Sequence, residues 1–430
     1  MKIKNKYFVI FVATVVVRLI LAVLFINIFP EWPTGSSMLH RIALAEAFLS
    51  GEGFSYNGIP NLYQTPVYPF FLAIVFFILG NHWWSIALFQ SILEGISSVT
   101  IAKIGSRFSP IGWLAGFIYA FYPYAAMHSR SIVDTSLFVL LFVAAVYYYI
   151  KFMDSHRIVD LIAASLLTSL GILNRPSIAV IPIAFVCHMV LRRYSWRRAA
   201  YYTLISFVVT SSIPSLWILR NYRLTHQFPI LAVGGQHFMW HAHNEHIGKV
   251  LQRNESPDLI GGDPRYPMAQ RIKVSDFFKI TPVEQVELAK SCSQSVRSWL
   301  SNNRVELLKY SLLKLKRFLM WEYCPGEIGH SHHSLRLLMY KISNGPITIL
   351  GWLGVIILLL KRNKFGCFIA LASIGFVMIH VISIVTSRHK VPLDALFCAL
   401  LPFSIYYLYN RTKAQKGILA RLCGSRDTTT

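Results

Sequence analysis

Two carboxylates in this chain lie where apolar segments meet polar ones. Asp134, in Arg130-Ser-Ile-Val-Asp-Thr135, precedes one apolar segment, and Glu31 follows another. A positioned carboxylate can act as a general base that removes the proton of an attacking hydroxyl. A carboxylate at the mouth of an apolar helix is costly and usually faces a cavity or a partner, although Asp134 could instead cap the helix N-terminus. Asp134 and Glu31 are therefore our candidate catalytic groups.

Basic and amide side chains form a second set at the ends of other apolar segments. The set consists of Arg175, Arg220, Asn221, Arg388, His389 and Lys390. A guanidinium group can donate two parallel hydrogen bonds to a phosphate, and lysine supplies a point charge. The set predicts a phosphate clamp, and anchoring to anionic lipid headgroups is the alternative.

Only membrane-spanning helices can position these residues, because the composition excludes a soluble fold. The 430-residue chain is 54% hydrophobic and 14% charged, with a mean hydropathy of +0.48. An average soluble domain carries about 25% charged residues. This composition excludes a soluble enzyme, a disordered scaffold and a disulfide-stapled secreted module. The net charge of +23 resides largely in short loops, which indicates membrane topology rather than nucleic-acid binding.

The apolar segments predict an all-α polytopic membrane protein. They cover residues 7–29, 66–80, 83–104, 110–127, 133–152, 158–174, 176–191, 199–219, 345–360, 365–385 and 391–409. A spanning helix needs about 20 apolar residues. The shortest run, 66–80, is therefore expected to dip into the outer face without crossing. The remaining segments give about ten spans with both termini cytoplasmic, in a bacterial plasma (inner) membrane. The first segment is expected to be a retained span, not a cleaved signal peptide.

The spans divide the chain into four regions. We predict an N-terminal transmembrane module at 1–219 with a first outer loop at 30–82, an extracytoplasmic loop domain at 220–344, C-terminal transmembrane helices at 345–410, and a basic cytoplasmic tail at 411–430. The loop domain is far too long to be a simple connector.

Residues 304–323 of the loop domain have the pattern of an amphipathic helix. The apolar face carries Leu308, Leu312, Leu315 and Leu319, and another face carries Lys309, Lys316 and Arg317. Such a helix is expected to lie in the membrane interface. A helix packed within a small soluble domain is the alternative.

Two charged residues fall inside predicted spans, and histidines crowd one loop. Arg18 and Glu94 are functional or form an ion pair that joins two helices. Histidines recur in 236–246 and again at 330–333. They predict a polar or pH-sensitive acceptor surface, with a divalent metal site as the less favoured alternative. No P-loop, HExxH or dinucleotide fingerprint occurs, so no cofactor is assigned.

Five short motifs follow one another in an order that resembles a known family. They are Ala43–Phe54 with Thr65–Pro69 and Phe71–Ala73, Gly171–Pro176, Pro214–Tyr222, Phe228-Pro with Gly234-Gly235, and Ser387–Pro392. Together they resemble the bacterial members of glycosyltransferase family 39, the protein O-mannosyltransferase-like GT-C enzymes, which include the lipid A aminoarabinose transferases. The resemblance covers residues 7–409.

The resemblance implies both a fold and a reaction. It implies a GT-C helix bundle with a cavity at the outer leaflet, and transfer of a sugar from a polyprenyl-phosphate donor to an extracytoplasmic lipid, glycan or protein. Membrane lipids would be further partners, and nucleic acid would not. The family carries an acidic residue near Asp134, and Arg130 and Tyr68 would line the same cavity.

The first outer loop departs from the family pattern. The family places an Asp, taken as the catalytic base, where this chain reads Gly35-Ser36-Ser37-Met38. Glu31 is the nearby acid that could replace it. The departure makes a non-catalytic family member one alternative, and a polysaccharide polymerase and a lipid-linked sugar transporter also stay open.

Overall fold

A computed structural model of the protein describes residues 3–28, 36–129, 131–227, 231–253, 272–319 and 333–424. Within these ranges the chain is almost entirely helical, which confirms the all-α prediction. The helices are α1 Ile3–Ile28, α2 Ser36–Leu49, α3 Val67–Leu79, α4 Trp83–Gly105, α5 Ala115–Ala120, α6 Pro123–His128, α7 Thr135–Ser155, α8 Ile158–Ile172, α9 Val180–Leu191, α10 Trp196–Thr225, α11 Gly234–Ala242, α12 Ile247–Gln252, α13 Pro282–Asn302, α14 Arg304–Leu319, α15 His333–Leu360, α16 Gly366–Ile382 and α17 Ser387–Gly424. Short 3₁₀ helices cover Gly112–Leu114, Pro176–Ala179 and Val274–Phe278.

The described part of the chain contains one small sheet. Strands β1 (Ser55–Tyr56) and β2 (Ile59–Pro60) pair antiparallel, with Ser55 opposite Pro60 and Tyr56 opposite Ile59. Gly58 has a φ of +76° in the tight turn between them, a backbone conformation that glycine adopts without steric cost.

Six of the described helices are long and apolar enough to cross a membrane, namely α1, α4, α7, α10, α15 and α17. Four shorter apolar helices accompany them, which are α3, α8, α9 with its preceding 3₁₀ turn, and α16. The protein is therefore a multi-pass membrane protein. Helix α3 has 13 residues and rises only about 20 Å, less than the roughly 30 Å of a hydrocarbon core, so it cannot span the membrane alone.

The short basic loops that follow α4, α7 and α15 meet at one end of the bundle. Asp154 at the end of α7 forms salt bridges with both Arg107 and Lys364. Lys151 donates a hydrogen bond of 2.7 Å to Asp160 at the start of α8. Because these loops contact one another, the helices between them must run back and forth across the bundle.

The segment predicted as a continuous span at 110–127 is broken, so that prediction was wrong. Helix α5 ends at Ala120, and α6 begins with Pro123 at its first turn. Proline has no N–H and disfavours helical geometry in the residue before it, and Tyr122 is indeed extended, with ψ 104°. The break leaves backbone carbonyl groups without helical partners next to the first long apolar helix, α1.

Arg18 of α1 supplies the hydrogen bonds that the break requires. Its Nη1 donates to the carbonyl of Tyr122 at 2.9 Å and its Nη2 to that of Tyr119 at 2.8 Å. The same Nη2 lies 3.5 Å from Glu94 Oε2. This confirms the predicted ion pair and adds a second role, because irregular backbone inside a membrane must be satisfied by protein groups.

The two outer-face regions that we predicted separately pack into one layer. Val233 N–H donates to the carbonyl of Leu62 at 2.9 Å, and Gln285 accepts from the N–H of Leu62 at 3.0 Å. A Cβ atom on Gly234 would lie 2.5 Å from the carbonyl oxygen of Tyr63, so only glycine allows α11 to approach the first outer loop this closely. The loop is thereby fixed over the end of the bundle opposite Asp154.

Helix α14 lies within residues 304–323, where the sequence predicted an amphipathic helix. Leu308 and Leu312 are exposed, as a helix at a membrane interface requires. The predicted charged face is wrong in part, because Arg317 is buried. A second cation, Lys314, is also buried, so one side of α14 packs against the protein through its basic residues.

Candidate functional site

Asp134 and Arg175 form a two-point ion pair at the outer-loop end of the bundle. Arg175 Nε donates to Asp134 Oδ2 and Nη2 donates to Asp134 Oδ1, both at 2.6 Å. Nη2 also donates to Thr135 Oγ1 at 3.0 Å. Asp134 occupies the N-cap position of α7, but its side chain makes no capping hydrogen bond. Its carboxylate binds Arg175 instead, so the simple capping role does not explain it.

Local backbone geometry positions Arg175 next to Asp134. Helix α8 ends just before it, and Pro176 opens the 3₁₀ turn just after it. A residue before proline favours extended backbone, and Arg175 has φ −142° and ψ 118°. The Thr65 hydroxyl donates to the carbonyl of Asn174 at 3.0 Å. The first outer loop thus fixes the turn that carries the guanidinium.

The ion pair decides the charge state of Asp134. Burial alone would raise the pKa of this carboxyl, but the adjacent Arg175 guanidinium holds the pKa well below its usual range. Arg41 and Arg388 add to the lowering. A general base works best when its pKa lies near the working pH, so these contacts favour Asp134 as the group that orients Arg175.

Arg41 is a site residue that our sequence reasoning missed. Its Nη1 donates to the carbonyl of Ile132 at 3.0 Å, and its guanidinium lies 5.9 Å from the ring centre of Tyr68. The Tyr68 hydroxyl donates to Gln90 Oε1 at 3.3 Å. Tyr68 therefore lies near Arg41, and its place in a substrate cavity stays a prediction. Arg41 precedes the Ala43–Phe54 motif by two residues, which was the available signal.

Arg388 and His389 reach the same region from the start of α17. The charge of Arg388 acts on Asp134 and on His128. Burial, with Arg388 and Arg175 nearby, lowers the pKa of His128 to about 3, so this imidazole is neutral at physiological pH. His389 lies 5.4 Å from His380, centre to centre. The described groups whose charges act on Asp134 most strongly are thus three arginines.

The site retains polar atoms that the described residues do not satisfy. Arg175 Nη1 is buried and has no hydrogen-bond partner among them, and neither side-chain atom of the buried Asn174 has one. An unmet buried polar group costs about 1–3 kcal/mol. A guanidinium held by its Nε and Nη2 atoms, with Nη1 left over, is arranged to donate to a further acceptor such as a phosphate oxygen.

Arg220 and Asn221 lie in a different place from Arg175. Arg220 donates from Nη1 to the carbonyl of Asn61 at 2.9 Å and from Nη2 to that of Phe54 at 3.1 Å. Asn221 donates to the carbonyl of Leu231 at 3.2 Å. These contacts attach α10 to the first outer loop. The two residues serve there as supports, and the structure does not bring them to the ion pair.

Lys390 also departs from the predicted clamp. Its Nζ donates to Asn344 Oδ1 and Thr348 Oγ1, both at 2.7 Å, and lies 3.9 Å from Asp394. Asp394 accepts from the hydroxyl of Tyr122 at 2.9 Å. Lys390 therefore belongs to a buried network that joins α17, α15 and the helix break. Asp394, four residues after Lys390 on the same helix, was the available signal in the sequence.

Other predicted positions give no site in the described part of the chain. Glu31 and Arg130 lie outside the described residues, as do His330 and His332. Among the residues that are described, no three His, Cys, Asp or Glu side chains are grouped for a metal ion. His237 of the histidine-rich segment instead bonds the hydroxyl of Tyr63, at 2.9 Å.

Comparison with known proteins places this site in a recognised fold. Residues 63–218, about a third of the chain, match the family model described as dolichyl-phosphate-mannose-protein mannosyltransferase. A sequence search of curated proteins gave no match. The matched region contains Tyr68, Asp134 and Arg175, but not Arg388.

Solved structures resemble the whole chain. The archaeal oligosaccharyltransferase AglB from Archaeoglobus fulgidus, solved with an inhibitory peptide and a dolichol-phosphate, has a TM-score of 0.58 and 12% identity. The match covers 99% of this chain, which spans about half of AglB (53%). ArnT from Cupriavidus metallidurans bound to undecaprenyl phosphate has a TM-score of 0.44 and 12% identity, with 93% and 77% of the two chains covered.

The family match and the fold agree with the resemblance seen in the motifs. The likeness to AglB, at this level of identity, establishes the arrangement of helices and not the reaction. The family model independently covers the helices that carry the ion pair. Residues 63–218 thus match a protein mannosyltransferase family model, and the chain, a multi-pass membrane protein, has the helix arrangement of AglB.

Proposed function

We propose that this protein is a membrane glycosyltransferase that moves a sugar from a polyprenyl-phosphate donor to an extracytoplasmic acceptor. The observation that carries the proposal is the buried Arg175, which Asp134 holds at two points while its Nη1 has no described partner. The family description names a dolichyl-phosphate donor, and AglB was solved with a dolichol-phosphate. Both support the same class of ligand for this chain.

The proposed chemistry relies on positive charge at the leaving group. When the glycosidic bond to phosphate breaks, negative charge grows on the phosphate oxygens. Preorganised guanidinium groups in a site of low dielectric stabilise that charge more than water does. We assign this role to Arg175 and Arg388, with Asp134 as the residue that positions Arg175.

The acceptor hydroxyl also needs a base, and the two described candidates fit poorly. Asp134 has a lowered pKa because of Arg175, and burial holds His128 neutral with a pKa of about 3. Both are weak proton acceptors at neutral pH. Glu31, which we predicted from sequence, is therefore the proposed base.

One assay separates this proposal from its alternatives. The purified full-length protein, in lipid nanodiscs, is supplied with a labelled polyprenyl-phosphate sugar and candidate acceptors. Sugar-dependent release of free polyprenyl phosphate supports the transferase. Binding without release indicates a non-catalytic member, and movement of the intact donor across vesicles indicates a transporter. Either of the last two results overturns the proposal.

Two variants then divide the roles of the acidic groups. Glu31→Gln is expected to lose transfer while keeping donor affinity, since a base acts on the acceptor. Asp134→Asn is expected to lose both, since Arg175 loses its anchor. Full transfer by Glu31→Gln would show that the base lies elsewhere.

A further inference from the structure

Helix α14 touches the two parts of the molecule that the proposed reaction must bring together. Its first half packs against α12 of the outer loop layer, and its second half packs against the end of α16. The segment after α16, residues 383–386, leads directly to Arg388 and His389 at the start of α17. Two contacts from α14 lead toward Arg388, one through Ser383 of this segment and one through His380 of α16.

Lys314 makes the first contact. It is only 3% exposed, and its Nζ donates to the carbonyl of Ser383 at 2.9 Å and to the carbonyl of Ala242 at 3.2 Å. Ala242 ends α11, and Ser383 follows α16. One ammonium group therefore ties the histidine-rich helix of the outer layer to the segment that precedes Arg388.

Burying the ammonium group of Lys314 costs free energy, because the charge is removed from water. Both of its described partners are neutral carbonyls, and no carboxylate pairs with it in the described part of the chain. Burial lowers the pKa of Lys314 to about 7, which reports the cost of holding the charge away from water. An apolar residue would pack there without that cost, so the two hydrogen bonds have a purpose beyond filling space.

Phe318, one turn further along α14, makes the second contact. Its ring stacks on His380 with ring centres 5.7 Å apart and an angle of 30°. His380 in turn lies 5.4 Å from His389. The rings of Phe318, His380 and His389 thus form a row that leads from α14 to the residue next to Arg388. This row is a second link in addition to the hydrogen bond from Lys314.

The first half of α14 is attached just as closely to the outer layer. Tyr310 and Leu313 pack against the buried residues Ile247, Val250 and Leu251 of α12. A Cβ atom on Gly248 would lie 2.2 Å from the Tyr310 hydroxyl, so glycine is required where α14 meets α12. A shift of the outer layer must therefore move α14 as well.

We propose that α14 couples the outer loop layer to the segment that carries Arg388 and His389, with Lys314 as the positioning residue. An acceptor that contacts the outer layer would thereby adjust the arginine that faces the donor phosphate. This inference rests on the proposed function for its consequence, but the mechanical link can be tested without any substrate.

Hydrogen exchange tests the link directly. We compare Lys314→Met with Lys309→Met, which removes an exposed lysine of the same helix. In Lys314→Met, the amides of residues 383–390 are expected to exchange about fivefold faster, as the loss of roughly one net hydrogen bond implies. In Lys309→Met they should be unchanged. Phe318→Leu, which breaks the ring row, should produce a similar increase even if Lys314→Met folds poorly.

Donor binding gives the functional readout. The KM for a polyprenyl-phosphate sugar should rise several-fold in Lys314→Met and Phe318→Leu, with kcat changing less, and Lys314→Arg should restore part of the loss. Unchanged exchange in both variants overturns the coupling. If the wild type binds no polyprenyl phosphate, the proposed function fails, and the exchange data alone still decide whether the coupling exists.

Discussion

The two ends of the helix bundle use ion pairs in opposite ways. At the outer-loop end, Asp134 and Arg175 are only 13% and 11% exposed. At the other end, Asp154 and its partners Arg107 and Lys364 are 24%, 30% and 64% exposed. The same types of side chain occur at both ends, but only the outer pair is removed from water.

Burial determines which of the two ion pairs is the better candidate for chemistry. Asp154 joins loops from different helices, and exposed pairs of this kind contribute about 0–1 kcal/mol. Removing one partner of a buried pair costs far more, because the other charge is left without compensation. Of these two pairs, that of Asp134 and Arg175 is the one with a buried guanidinium N–H that has no described partner. Burial and the remaining donor together separate it from the exposed contacts of Asp154.

Arg175→Met should have the largest effect. It leaves the Asp134 carboxylate buried and uncompensated, so the free energy of unfolding should fall by about 3–5 kcal/mol and donor binding should be lost. Thermal unfolding in detergent and binding of a polyprenyl-phosphate sugar measure the two effects. The double variant Arg175→Met with Asp134→Leu should regain stability but not binding. Donor binding that returns with stability would contradict a direct role for Arg175.

Asp134→Asn should remove an acid-sensitive part of the stability. Because the folded pKa of Asp134 lies below its unfolded value of about 4, the ion pair stabilises the protein above that pH and its contribution is lost as the pH falls further. The difference in unfolding temperature between wild type and Asp134→Asn should therefore be constant from pH 5 to 8 and should shrink below about pH 4. A constant difference down to pH 3 would mean that the carboxylate is not stabilised by Arg175.

Arg388→Ala should weaken donor binding by about tenfold, since one guanidinium at a phosphate contributes on the order of 1.5 kcal/mol. Stability should change little, because Arg388 is only partly buried. Titration with a polyprenyl-phosphate sugar checks the affinity. An unchanged affinity would restrict the phosphate site to Arg175 and its neighbours.

Lys364→Gln at the opposite end should have the smallest effect. Its partner Asp154 keeps Arg107, so the free energy of unfolding should change by less than about 0.5 kcal/mol. Donor binding and transfer should match the wild type. A loss of transfer in Lys364→Gln would show that the two ends are not independent and would remove the contrast between them.

The structural features that depend on local sequence patterns could be predicted. Apolar runs and basic loops predicted the helices closely, and the ion pair of Arg18 with Glu94 followed from two charges within spans. The break between α5 and α6 was missed because hydropathy averages over it. Pro123 was the only clue, and a single proline does not distinguish a kink from the end of a span.

The candidate site was harder to predict, because its partners are distant in sequence and several are backbone atoms. Arg220, like Arg175, follows an apolar run, yet its acceptors are the carbonyls of Phe54 and Asn61. Every residue has a backbone carbonyl group, so the sequence does not show which carbonyl accepts a side-chain hydrogen bond. Lys390 sits next to His389, but a helix turns by about 100° per residue, so neighbours in sequence face different parts of the bundle.

The contacts of Arg18 impose an order on biogenesis. Its charge is neutralised by Glu94 of the second long helix, and its hydrogen bonds are completed only by the broken segment after that. An arginine near the centre of a lone helix costs about 2.5–3.5 kcal/mol in a bilayer. Helix α1 is therefore relieved of this cost only after Glu94 and the segment as far as Tyr122 have been synthesised, so its final position depends on parts of the chain that follow it.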